Sequence, residues 1–197
     1  MNTLRSHWTD FIIASLALYA FGMMVYAVWS YIAFVGLDKM EWVGSLIYLP
    51  HGVRVMAICY FGYKSIPALY AVEITGPIMI HPEQYFDVWP LASIASLLSV
   101  MAACEIVKWS NSNVKGTIFM PINFTNYRSL VLVIVLSGLM NAISANLVTS
   151  LLADIDLSVR VIARFFVGDV LGAFVLILFL SALFSTLRVN RLLVQDK

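Results

Sequence analysis

Charge is what this chain lacks most. Lys and Arg number 12 and Asp and Glu 11 in 197 residues, so charged side chains make up 12% of the sequence, against about 25% in an ordinary soluble domain. The net charge of +1 comes with no basic block, no aromatic-basic interleaving and no acidic tail, which excludes a nucleic-acid surface or an acidic substrate as the organising partner. Cysteine is nearly absent too. The two present, Cys59 and Cys104, lie in apolar stretches and match no CxxC or Cys/His spacing, so they read as small core residues and neither a metal nor a cofactor is expected. There is no phosphate loop, no HExxH, and no paired carboxylates beside a cleft; no Ser/His/Asp or Cys/His set is expected within reach, and the chain does not read as an enzyme.

What is abundant is hydrocarbon. Hydrophobic residues make up 61% of the chain and the mean hydropathy is +0.90, which places it among membrane proteins before any motif is read. Six apolar stretches have the length that a bilayer demands, about 20 residues each. They run over residues 11–36, 43–63, 65–80, 86–107, 128–153 and 161–187. The expectation is a single all-α domain, a polytopic transmembrane bundle whose second and third spans are interrupted by Pro50 and Gly52 and by Pro67, Gly76 and Pro77. The first stretch is too long for a signal-peptide core and is expected to remain as an anchor. The tail from Arg188 to Lys197 is too short for a kinase, cyclase or other output domain.

Basic residues orient such a bundle. Arg5, Lys64, Lys108, Lys115, Arg128, Arg188, Arg191 and Lys197 fall on one side, and only Lys39, Arg160 and Arg164 on the other. Both ends are therefore expected in the cytoplasm. The outer connections then hold Asp38, Glu41, Glu83, Asp87, Asp154 and Asp156, with His81 beside Glu83, without the spacing of a calcium loop. A solvated acidic face follows. Asn123-Phe124-Thr125 fits a glycosylation acceptor by pattern only, since its loop falls on the cytoplasmic side.

Three charges lie inside the spans: Arg54, Glu73 and Asp169. A charged residue at mid-helix costs roughly 2.5 to 3.5 kcal/mol on insertion scales, so each must face protein, water or an opposite charge. At 1.5 Å per residue, Arg54 sits about 16 Å and Asp169 about 8 to 13 Å below the outer ends of their spans, with Glu73 near the middle of its own. One shared layer is expected, with Arg54 paired to Asp169 and Glu73 nearby as a second acceptor or protonatable group. Gly168 and Gly172 flank Asp169 and thin the helix wall there, so a neighbour can approach backbone to backbone. Pro50 should break the second span and free carbonyls one turn back, with His51 available to cap them or to titrate. A static pair that only docks the helices and a ligand or partner site at Arg54, Glu73, Asp169 and His51 both remain open. Ser93, Ser96 and Ser99, and then Gly138, Asn141, Ala142 and Ala145, read as helix-packing stripes.

Two of these elements resemble a known family. Pro50-His51-Gly52, an apolar run to Phe61-Gly62 and then Lys64 through Pro67 resemble the early signature of the bacterial membrane-associated sensor (MASE-type) domains. Phe165-Phe166-Val167-Gly168-Asp169-Val170-Leu171-Gly172 is similar to that family's Trp-x-x-Gly-Asp-x-x-Gly element, with Phe in place of Trp. Leu49 stands where the family often has a first proline, and six spans are fewer than its usual eight or so. The resemblance implies a bacterial inner-membrane input module, here without the kinase or cyclase output domain to which such modules are commonly fused. The chain is thus expected to be a sensory or binding module, or a small subunit, working through a protein partner such as a kinase, a cyclase or a larger complex in the bilayer. A transporter or ion pathway using Arg54, Glu73 and Asp169, and a purely structural subunit, stand as alternatives.

Overall fold

The computed structural model describes residues 2–36, 46–79, 88–110, 127–153 and 158–195, with side chains at 8–32, 46–79, 88–110, 128–152 and 158–187. Every regular element among the described residues is helical. In chain order they are α1 (Asn2–Gly36), α2 (Leu49–Phe61), a 3-10 turn (Gly62–Ser65), α3 (Ile66–Ile78), α4 (Trp89–Ser110), α5 (Tyr127–Ala153) and α6 (Val159–Gln195). The apolar runs form helices because a bilayer supplies no partner for backbone N–H and C=O groups, which the helix satisfies internally. Five stretches are long and apolar enough to cross a membrane: Trp8–Ile32, Leu49–Ile78, Trp89–Ser110, Arg128–Leu152 and Val159–Leu187. This is the make-up of a multi-pass helical membrane protein.

The expected second and third spans fall together in Leu49–Ile78, and that stretch is not a straight rod. On one continuous helix Arg54 and Glu73 would stand about 28 Å apart. Instead Arg54 Nε lies 2.8 Å from Glu73 Oε1, so α3 doubles back along α2. The reversal is made at Gly62, whose φ of 62° and ψ of −147° lie in a region that only glycine occupies without strain. Each arm has 13 residues, or about 20 Å, against a hydrocarbon core of about 30 Å.

The prolines differ from expectation. Pro50 sits in the first turn of α2, where the helix has no use for its missing N–H, so it opens the helix instead of breaking it. Pro67 opens α3 in the same way, and Pro77 alone lies inside a helix, in the last turn of α3.

Contacts set the directions of the helices. Tyr48 meets Gly168 and Gly172, and Gly52 meets Ala173 and Leu176, so α2 and α6 run the same way. Arg54 meets Ser96 and Cys59 meets Cys104, which makes α4 parallel to α2. Gly22 packs on Val72 and Gly76 on Tyr26, which makes α1 parallel to α3. Since α4 and α6 share a direction, α5 between them returns the other way.

Buried and exposed surfaces are inverted relative to a soluble protein. Ile12, Leu16, Leu132, Leu139, Leu147, Leu171, Val175 and Leu178 face outward, a surface suited to acyl chains and far larger than the apolar patches that water tolerates. The interior mixes Val, Leu and Ala with His51, Arg54, Glu73, Ser96, Ser137, Asn141 and Asp169.

Candidate functional site

The site is assembled where the start of α2 enters a seam on α6. Tyr48 N–H donates to the Gly168 carbonyl at 2.9 Å, a backbone bond between two separate segments. It requires Gly172, because a Cβ there would collide with the backbone of Tyr48. Three aromatic rings wedge this entry from the α1 side. Tyr26, Trp29 and Tyr48 meet edge to face, with centroids 5.3 Å (Tyr26–Trp29) and 4.9 Å (Trp29–Tyr48) apart. Trp29 Nε1 donates to the Ile47 carbonyl at 2.7 Å. Fixing Tyr48 aims the first turn of α2, and with it His51 and Arg54, which are three residues apart and so share a face.

Arg54 is 2% exposed and Glu73 5%. Their approach is an ion pair whose Nε–H points off the line to the oxygen, so it acts through charge more than through an aligned hydrogen bond. The guanidinium is held further by Ser96 Oγ on α4, to which Nη1 donates, and by the Tyr48 ring, whose centroid lies 5.1 Å from Cζ. Trp89 Nε1 donates to the Glu73 carbonyl at 2.9 Å and ties α4 to α3 beside the pair.

Asp169 is 1% exposed and His51 fully buried. Asn141 Nδ2 on α5 donates to Asp169 Oδ2 at 2.6 Å. His51 Nδ1 lies 3.7 Å from the same oxygen, and its Nε2 lies 3.1 Å from Ser137 Oγ. All four residues named from the sequence therefore enter one buried polar core, but with exchanged partners. Arg54 was expected on Asp169; it pairs with Glu73, because the α2–α3 reversal brings that carboxylate alongside, and Asp169 is met by Asn141 and His51. The acidic outer connections and the Asn123 loop lie outside the described residues.

The second correction concerns Ser, His and Asp. No such set was expected in reach, yet the fold lines up Ser137, His51 and Asp169 in the order used by serine hydrolases. The chemistry differs. The Ile134 carbonyl, 3.2 Å from Ser137 Oγ, competes with His51 Nε2 for the one hydroxyl hydrogen. The 3.7 Å separation at the other end exceeds a hydrogen bond.

Sequence reasoning assigned Ser96 and Asn141 to packing and passed over Ser137. The available signal was their spacing: Ser137 and Asn141 are one turn apart on α5, the position from which two polar side chains address one neighbour. Among the described residues no group of three or more His, Cys, Asp or Glu side chains converges as a metal would require. Comparison of the chain with protein-family models, with curated proteins and with solved structures finds no match in any of the three.

Proposed function

We propose that this protein is a sensory or binding module of the bacterial inner membrane, without catalysis of its own, that acts on a partner protein through α6. The observation that carries the reading is the build of α6. Asp169 sits in the sealed polar core, the last buried residue among the described side chains is Leu180, and from Ser181 to Leu187 every side chain is exposed while the helix runs on unbroken to Gln195. At 37 residues it is about 55 Å long, well beyond a bilayer core. A change in how α2 seats against Asp169 would thus be passed along a rigid helix to its far end.

In this reading α2 and α3 are two short crossings, giving six in all, and the basic-residue count puts the first turn of α1 and the last of α6 in the cytoplasm. Membership of the MASE-type family is part of the same proposal. It is supported by the meeting of the two elements that carry the resemblance: Tyr48 and Gly52 pack on Gly168, Gly172 and Ala173, and His51 faces Asp169.

The test is photo-crosslinking in native membranes from a reactive residue at Leu187. The reading expects a cytoplasmic signalling enzyme, a kinase or cyclase, joined to the wild type and lost from a variant in which Gly172→Leu unseats α2. Proton or sodium flux in liposomes, abolished by Asp169→Asn with folding retained, would support an ion pathway instead. Crosslinks confined to subunits of one large complex would make the protein a structural subunit.

A further inference from the structure

Two polar contacts bracket the His51 ring. Ser137 Oγ lies 3.1 Å from Nε2 and 3.2 Å from the Ile134 carbonyl, and its single hydrogen can serve either acceptor. Nδ1 has no hydrogen-bond partner and faces Asp169 Oδ2 across 3.7 Å. With the imidazole neutral and its hydrogen on Nε2, beside an ionised carboxylate, two atoms that carry lone pairs would oppose each other in a sealed space. The charges of the core point the same way. Arg54 supplies one positive charge, Glu73 and Asp169 two negative ones, which leaves one negative charge uncompensated, and a buried charge without a counterpart is strongly disfavoured.

We propose that His51 and Asp169 together bind one exchangeable proton at the seam between α2 and α6. The proton sits on Nδ1, giving an imidazolium beside a carboxylate, or on Asp169, giving an acid that donates to Nδ1, and the two forms are one coupled site. Either form neutralises the core and draws the two groups together. Loss of the proton restores the surplus negative charge and loosens α2 from α6. The other ionisable groups around the site are Arg54 on α2 with Tyr48 just ahead of it, Glu73 on α3 and Tyr26 on α1. The side chains that α4 and α5 present to it are neutral serines and Asn141. A metal cation could supply the same positive charge, and the experiment separates the two.

The proposal goes beyond the sensory reading and stands apart from it, since the site takes up a proton whether or not α6 signals. The chain has three histidines, and replacing His7 and His81 by Gln leaves His51 alone. The full chain, labelled with nitrogen-15 histidine and placed in lipid nanodiscs, is titrated from mildly alkaline to mildly acidic pH in potassium buffer. The expected result is one additional bound proton per chain, seen as imidazolium nitrogen signals or as a new carboxylic-acid infrared band, and lost in Asp169→Asn. A His51 that stays neutral throughout, in either tautomer, with no carboxylic-acid band, would overturn the proposal. So would a saturable response to sodium at fixed pH in the absence of any proton uptake. Both readings come from a protein with an intact core, so the answer does not depend on the Asp169 variant folding.

Discussion

At the scale of single residues, the charged groups of the interior each have a polar neighbour: Glu73 and Ser96 for Arg54, Asn141 and His51 for Asp169. Asn141 is the only side chain among the described residues that donates a hydrogen bond to Asp169. Bonds to charged groups contribute about 1.5 to 3 kcal/mol, so Asn141→Leu should lower stability by about that amount, read as a drop in the thermal midpoint of the solubilised protein. An unchanged midpoint would mean that Asp169 has another support. Gly62→Ala probes the backbone in the same way. Its conformation is one that side chains avoid at a cost on the order of 1 to 3 kcal/mol, and an equal loss of stability is expected there, although the added methyl replaces no contact.

At the scale of elements, how closely α2 lies on α6 and α4 governs the rest. Gly172 admits the Tyr48 backbone, and even Gly172→Ala should separate the two, at a cost on the order of 1 to 3 kcal/mol for overpacking. Readout by fluorescence of Trp29, which holds the same entry through Ile47, should show a changed environment. On the opposite flank of α2, Cys59 and Cys104 touch with sulfurs 3.6 Å apart. They are the chain's two cysteines, so a membrane-permeant oxidant should join them within one chain and shift neither mass nor mobility to that of a dimer. Failure to cross-link, or cross-linking between chains, would put α2 somewhere else. The helices themselves were legible in the sequence, since long apolar runs leave a bilayer-facing chain little alternative: α1, α5 and α6 cover the expected stretches, and α4 covers its own from Trp89 on. The α2–α3 pair was harder to read. Proline marks the first turn of a helix as readily as a break, and the sequence around Pro50 does not separate the two; in the fold it is the first.

At the scale of the whole molecule, the design is a polar centre in a hydrocarbon shell, with α2 and α3 as the element that delivers charge to the centre. Which residues would be buried there could be read from sequence, because Arg54, Glu73 and Asp169 are too costly to expose to lipid. Which would pair could not. Depth along a span says nothing about which helices are neighbours, and the one-turn spacing of Ser137 and Asn141 marks a shared face without naming His51 as its neighbour. The choice of Glu73 over Asp169 as the partner of Arg54 is a consequence of the reversal at Gly62, a tertiary fact.

That reversal is tested most directly by a double-mutant cycle on Arg54→Met and Glu73→Met, with thermal stability measured in the same lipid. Removing one member of a buried pair strands the other and costs about 3 to 5 kcal/mol, while removing both is often near neutral. The account predicts two strongly destabilised single variants and a double variant restored to near wild-type stability. Simple addition of the two losses, as expected of residues about 28 Å apart on one straight helix, would contradict it.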